Sequence, residues 1–279
     1  MARWRKLGVI AGAGALPVCI VAACADGGRP CHVIRLAGIA DAALADFPGD
    51  DCGIAEVGKI IRTLKNENCD AAVFAGYVQR PDFSKLRADW RGAALLPKVI
   101  AAAARGDGAI LNVLVDTLES EGVIVIGVEE AAQSLIAEPG AISRLEPDES
   151  NLADIRKAAA VVSALGPFDV GQGAVVANGL VLAVEAAEGT DAMLDRCAGL
   201  PEAMSRGGVL VKRPKPGQEL RVDLPVVGAE TIRRAARARL AGVAVEAGVA
   251  LIIDRAEVAA LADEAGLFVY GFSAHEVAS

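Results

Sequence analysis

Short apolar runs and helically spaced stripes alternate along most of this chain. The run Leu7–Ala11 stops at Gly12-Ala-Gly14-Ala-Leu-Pro17, and the segment that follows to Ala25 has helical spacing and halts at Gly27-Gly28. Cys31–Leu36 reads as a buried strand, residues 54–68 as an amphipathic helix with Val57, Ile60, Ile61 and Leu64 on one face, and Ala71–Ala75 as another buried strand. Two more helices are expected over 93–104 and 109–120, parted by Arg105-Gly-Asp107-Gly108, and a strand over 123–128. Strands alternating with helices predict a doubly wound parallel sheet, because each parallel crossover needs a helix to return the chain.

The pattern breaks between Glu138-Pro139-Gly140 and Pro147-Asp-Glu-Ser150, where Pro, Gly and acid replace apolar periodicity. This predicts a linker over 136–149 between an N-terminal domain, 1–135, and a C-terminal α/β domain, 150–279. The second domain opens with a helix that has Ser150 or Asn151 at its N-cap and Gly166-Pro167 beyond its end. Strands over 174–176 and 180–184, joined by Asn178-Gly179, make a hairpin, since both residues accept the positive φ that a type I′ turn requires. Thr190 is expected to cap a helix over 191–197, and 209–211 is a strand. Pro214, Pro216 and Gly217 force an irregular loop, and 222–228 is extended with Asp223 inside it. The remainder reads as a helix over 230–240 bearing Arg233, Arg234, Arg237 and Arg239, strands over 242–245 and 250–253, a helix over 256–265 and a strand over 267–270. A hairpin combined with crossovers implies a mixed sheet. There is no internal repeat or low-complexity tract.

Composition narrows the picture. A chain of 279 residues, 53% of them hydrophobic, can bury two modest cores. Twenty-eight Lys and Arg against 36 Asp and Glu give a formal charge of −8, which opposes nonspecific binding of nucleic acid or anionic lipid over the whole surface. The six cysteines contain no C-x-x-C pair and read as buried thiols in a reducing compartment. His32 and His275 are the only histidines, so a histidine-rich zinc site is excluded by counting. Residues 1–25 imitate a secretory signal, with Val21-Ala-Ala-Cys24 like a lipoprotein box, but Gly8, Gly12, Gly14 and Pro17 interrupt the apolar core. A strand-turn-helix unit uses every one of those residues, so a cytoplasmic location is expected.

Candidate chemistry falls in two places. Gly12 and Gly14, before a helix N-terminus, form a natural phosphate cradle, because free N–H groups there attract an anion. As a dinucleotide fingerprint the turn is incomplete: Pro17 stands where a third glycine belongs, and Ala37-Gly38 leave no ribose-binding acid after Leu36. Gln79 and Arg80 follow the strand Ala71–Ala75, at the carboxyl end where ligands of such sheets bind.

The stretch 170–228 is richer. It sets Gln172, Glu185, Glu188, Thr190 and Asp191 near Lys212, Lys215, Gln218, Arg221 and Asp223, around turns that cannot be element interiors. Asp223 lies between Val222 and Leu224, so it must pair with a cation or bind a metal, because a bare buried carboxylate costs several kcal/mol. Oxygen ligands without histidine suit Mg²⁺ or Mn²⁺ together with a substrate phosphate. Asp223, Glu185 and Glu188 are the expected metal ligands. Catalytic roles are expected for the same three with Asp191, Lys212 and Lys215, since lysines suit charge on a transferred phosphoryl group. Substrate contacts are expected from Gly12, Gly14, Gln79, Arg80, Gln172, Thr190, Gln218 and Arg221.

These segments resemble the UDP-2,3-diacylglucosamine pyrophosphatases of the LpxI type, a family of lipid A biosynthesis. The resemblance covers nearly the whole chain and rests on Ile10-Ala-Gly-Ala-Gly-Ala-Leu-Pro17, Gly76-Tyr-Val-Gln-Arg-Pro81, Asp169-Val-Gly-Gln172, Val184-Glu-Ala-Ala-Glu-Gly-Thr-Asp191, and Lys215-Pro-Gly-Gln218 with Arg221-Val-Asp-Leu-Pro225. It implies divalent-cation-dependent hydrolysis of UDP-2,3-diacylglucosamine to UMP and 2,3-diacylglucosamine 1-phosphate (lipid X), in a cleft between a Rossmann-like domain and a family-specific second domain. Asp223 is the residue it marks as essential. It further implies a cytosolic enzyme in peripheral contact with the inner membrane, for which the arginine-rich helix over 230–240 is a candidate surface, and it admits a homodimer. Two other readings remain. An NAD-dependent oxidoreductase would use Gly12 and Gly14 for pyrophosphate and would carry a copurifying cofactor. A non-catalytic glycolipid-binding protein would show no metal-dependent turnover.

Overall fold

The computed structural model describes residues 4–79 and 81–277, which fall into two compact units, 1–134 and 135–279. The N-terminal unit runs β1 (Leu7–Ala11), α1 (Leu16–Asp26), β2 (Cys31–Leu36), β3 (Gly49–Cys52), α2 (Val57–Asn66), β4 (Ala71–Ala75), α3 (Trp90–Ala103), α4 (Asp107–Ser120), β5 (Ile124–Val125) and the single-turn α5 (Val128–Ala131). Its five strands are parallel in the order β3-β2-β1-β4-β5. All five residues of β1 are buried, as a central strand covered on both faces requires.

The sequence signal for β3 was hidden by its charge. Asp50 and Asp51 are exposed on this edge strand and face β2, where Asp50 meets His32 at 2.9 Å and Asp51 meets Arg35 at 2.8 Å. Gly49 is required there, because a Cβ would lie 2.3 Å from the Val33 carbonyl oxygen. The strand expected over 123–128 shortens to two residues because Val128 already begins α5.

The C-terminal unit runs β6 (Gly140–Ala141), α6 (Glu149–Leu165), β7 (Gly173–Ala177), β8 (Leu180–Val184), α7 (Gly189–Ala198), α8 (Glu202–Ser205), β9 (Val209–Lys212), β10 (Val226–Val227), α9 (Ala229–Arg237), β11 (Gly242–Glu246), β12 (Leu251–Ile252), α10 (Arg255–Ala265) and β13 (Phe268–Phe272). Six strands form a mixed sheet, β6-β13-β11-β9-β7-β8, while β10 and β12 pair by themselves. Side chains alternate across the large sheet. Val175, Leu210, Val243, Val245 and Val269 pack with Met193, Leu194, Ile232 and Val258 of α7, α9 and α10. Ala174, Val176, Val209, Val211, Ala244 and Phe268 pack on the other face with Ile155, Ala158, Ala159 and Val162 of α6.

The stretch 136–149 joins this sheet: β6 pairs antiparallel with Tyr270 and Gly271, and Ile136 bridges Leu251. Two helix starts differ from expectation. The N-cap of α6 is Asp148, whose carboxylate accepts the Asn151 N–H at 2.8 Å while the Asn151 side chain returns a bond to the Asp148 N–H, leaving Ser150 inside the helix. Thr190 does not cap α7; it lies within the first turn, and its hydroxyl donates to Glu185 at 3.0 Å.

Candidate active site

The strand register brings the chemistry of the C-terminal unit to one end of its sheet. Gly173 at the start of β7 pairs with Lys212 at the end of β9, Lys212 pairs with Val245 near the end of β11, and Val184 at the end of β8 pairs with Ala174. Gln172, Glu185, Lys212, Arg213 and Glu246 therefore share that end. The backbone is tight: a Cβ on Gly171 would lie 2.0 Å from the Glu185 carbonyl oxygen, and one on Gly173 would lie 2.7 Å from Glu185 Oε2. That Oε2 is buried without a hydrogen-bond partner.

Asp223 lies in the loop between β9 and β10. Burial pushes its carboxyl above the ordinary aspartate range; a hydrogen bond with the Gln172 side chain and the charges of Lys215 and Lys212 oppose the rise, while Asp169 adds to it. Lys212 is 7% exposed and donates to the Val226 carbonyl at 3.0 Å. Lys215 pairs with Asp169 at 2.5 Å. Gln218 spans the loop, accepting the Lys215 N–H at 2.9 Å through Oε1 and donating Nε2–H to the Asp223 carbonyl. Carboxylates and ammonium groups thus alternate from Asp169 through Lys215 to Asp223 and Lys212. A half-buried ion pair between Arg213 and Glu246, 2.9 Å, braces the neighbouring wall.

The other expected residues divide plainly. Glu188 is held by Arg196 at 2.5 Å and Asp191 lies 3.5 Å from Arg234, so each faces an arginine. Among the described residues no group of three or more His, Cys, Asp or Glu could hold a metal ion, and Glu185, Glu188 and Asp223 do not form the ligand trio expected of them. The physical reason is local: Arg196, in the last turn of α7, draws the Glu188 carboxylate toward itself. A cation with fewer protein ligands is compatible with the desolvated Asp223 carboxylate and its neighbour Asp169, since Mg²⁺ commonly takes one or two carboxylates and completes its shell with water and substrate phosphate. Arg221 folds back on Glu219, 2.8 Å, and holds that carboxyl below its ordinary value.

In the N-terminal unit, Gly12 and Gly14 stand where β1 turns into α1. The Gly12 N–H donates to Ala75 at 2.8 Å, and Ala13 and Tyr77 exchange backbone bonds of 2.8 and 2.9 Å. A Cβ on Gly12 would come within 2.7 Å of the Tyr77 carbonyl oxygen, whereas Gly14, at φ +89°, has open space beside it. No side chain caps α1, whose N-terminal dipole end attracts an anion although Pro17 in its first turn has no N–H to give. Gln79 is exposed on the loop after β4, and Arg80 lies outside the described residues.

The arginines of α9 do not form an unpaired basic face. Arg233 meets Glu257 at 3.0 Å, Arg234 meets Glu230 at 2.7 Å as well as Asp195, and Arg237 lies 3.5 Å from Glu230. Arg239 donates to the carbonyls of Ala198 and Leu200. No helix among the described residues is long and apolar enough to cross a membrane.

Sequence reasoning did not place Asp169 among the site residues, although it precedes the Gly171-Gln172 turn and takes φ +57°, a conformation aspartate adopts more readily than most residues. The Arg213–Glu246 pair left no local signal, because its members are far apart in sequence on neighbouring strands.

A two-unit α/β chain that sets a carboxylate between lysines at one sheet end, and a glycine turn before an uncapped helix in the other unit, is built to handle phosphate-bearing molecules. The chain belongs to the LpxI family: the N-terminal domain model of that family matches residues 6–135 and the C-terminal domain model matches residues 138–270. It is 51% identical over 277 residues, 98% of this chain and 99% of the relative, to a protein named UDP-2,3-diacylglucosamine pyrophosphatase LpxI from Caulobacter vibrioides.

Proposed function

We propose that this chain hydrolyses the pyrophosphate bond of UDP-2,3-diacylglucosamine, releasing UMP and 2,3-diacylglucosamine 1-phosphate, as a step of lipid A biosynthesis. The observation that carries the reaction type is the desolvated Asp223 carboxylate set among Gln172, Lys212 and Lys215; the substrate is that in the name of the full-length relative. A carboxylate whose proton affinity is raised by burial is a better base toward an attacking water than an exposed one. Lys212 and Lys215 neutralise charge on the phosphates, Asp169 holds Lys215 in place, and Gln172 orients the Asp223 carboxylate. The N-terminal unit, whose strand order 3-2-1-4-5 we read as Rossmann-like, offers phosphate the N-terminus of α1 beside Gly12 and Gly14. Phe168 and Leu220, 76% and 39% exposed beside Asp169 and Arg221, supply apolar contact for an acylated molecule presented at a membrane surface.

A divalent cation, Mg²⁺ or Mn²⁺, completes this reading. Asp223 and Asp169 would hold it, and it would neutralise charge on the pyrophosphate oxygens. Turnover is expected to vanish after exhaustive chelation and to return with Mg²⁺ or Mn²⁺, followed as release of UMP from UDP-2,3-diacylglucosamine in detergent micelles. Full turnover after chelation would remove the cation from the reaction. Tight binding of the same substrate without turnover in either metal would instead favour a glycolipid-binding protein.

A further inference from the structure

The loop that carries Asp223 departs from regular structure, so its shape depends on side chains. Pro214 and Pro216 prevent a continued strand, Gly217 turns at φ +78°, and Pro216 packs so closely on the end of α6 that a Cβ on Gly166 would lie 2.5 Å from its Cδ. Beyond that anchor the chain must return to deliver Asp223 opposite Lys215. Gln218 sits between the two and touches both. Its Oε1 accepts the Lys215 N–H at 2.9 Å, its own N–H donates to the Lys215 carbonyl at 3.1 Å, and its Nε2–H is given to the Asp223 carbonyl.

We propose that Gln218 is a positioning residue: its side-chain amide ties the backbone at Lys215 to the backbone at Asp223 and so fixes the spacing of the two charged groups, rather than contacting substrate. An amide serves because it carries an acceptor and a donor on one planar group. Glutamate would keep the first bond and lose the second, methionine would keep the bulk and lose both, and alanine would lose everything. This inference rests on the pyrophosphatase reading for its kinetic test and on loop geometry alone for its structural one.

The full-length protein and its Gln218→Ala, Gln218→Met and Gln218→Glu variants are compared for kcat, KM, melting temperature and amide hydrogen exchange at Lys215. A misplacement of about 1 Å is worth roughly 10²-fold in rate. Gln218→Ala and Gln218→Met are therefore expected to lose about 10- to 100-fold in kcat with KM within about threefold, a melting temperature close to wild type and at least tenfold faster exchange at Lys215. Gln218→Glu is expected to restore slow exchange at Lys215 without restoring kcat. Full activity in Gln218→Met would make the side chain a filler and overturn the proposal, as would a loss confined to KM, which would make it a substrate contact. Should the wild-type protein itself fail to hydrolyse UDP-2,3-diacylglucosamine, the pyrophosphatase reading falls, and unchanged Lys215 exchange in Gln218→Ala would overturn the positioning role on its own.

Discussion

Asp223→Ala is expected to lower kcat by about 10²-fold or more, the scale of a lost general base, while substrate still binds. The uridine, the phosphates and the acyl chains draw on other contacts, and removing a carboxylate beside a pyrophosphate relieves repulsion in the ground state. The same position makes an opposite expectation about stability. Burial raises the carboxyl of folded Asp223 above its unfolded value, so the folded chain binds that proton more tightly than the unfolded one. The stability this supplies is fully present only below the ordinary aspartate pKa and is lost as pH rises through the raised folded value. Near neutral pH the carboxylate is therefore a burden on the fold. In metal-free protein Asp223→Asn should melt at or above the wild-type temperature at pH 8, and this advantage should shrink as the pH falls toward 4. Single-turnover rate and melting temperature measured on one preparation give the answer: a variant that melts early yet cleaves at the wild-type rate would make Asp223 a brace for Lys212 and Lys215 instead of a catalyst.

The largest loss of stability is expected from Asp154→Ala. Asp154, on α6, is 4% exposed, and its two carboxylate oxygens accept the N–H groups of Asn178 and Gly179 at 2.7 Å each. Those two residues form the β7–β8 turn at φ +51° and +77°. Truncation leaves two backbone donors without their charged acceptor at a largely enclosed position, which costs about 2–4 kcal/mol. In a unit of this size that corresponds to a melting temperature lower by roughly 5–15 °C. Asp154→Asn keeps one acceptor oxygen and should fall between. Urea unfolding followed by near-ultraviolet absorbance of the full chain checks both, and a midpoint for Asp154→Ala within error of wild type would show that the turn holds its shape through Asn178-Gly179 alone.

Much of this architecture was legible because parallel strands covered on both faces must be apolar throughout, as β1 and β4 are, and because Asn178-Gly179 can do little but turn. What escaped reading shares one property: it depends on partners distant in sequence. The Asp50-Asp51 pair looks like loop until His32 and Arg35 stand opposite it across the sheet. Glu188 looks like a metal ligand and Asp191 like a catalytic group until Arg196 and Arg234 are seen to face them. The alternation from Asp169 to Lys215 to Asp223 needs the β7–β9 register before it exists at all. Local helix chemistry misled differently, since Asp148, Ser150 and Asn151 can each serve as a cap and only the backbone decides among them.

The pairing of β6 with β13 also sets a timetable. Gly140 and Ala141 stand near the start of the C-terminal unit, yet their partners, Tyr270 and Gly271, are made only after all the other strands of that unit. β11 too has β13 as a neighbour, so its sheet stays open on one side until Phe272 has been made. The five N-terminal strands, by contrast, are finished by Val125 and can close while the rest is still being made. Nascent chains arrested after Arg255 should resist protease over the first unit and remain cleavable in the second, and only chains in which β13 has emerged should be protected in both. Non-local pairing of this kind slows folding and prolongs exposure of apolar strand edges, so quality control in the cell would bear on the half of the molecule that carries Asp223.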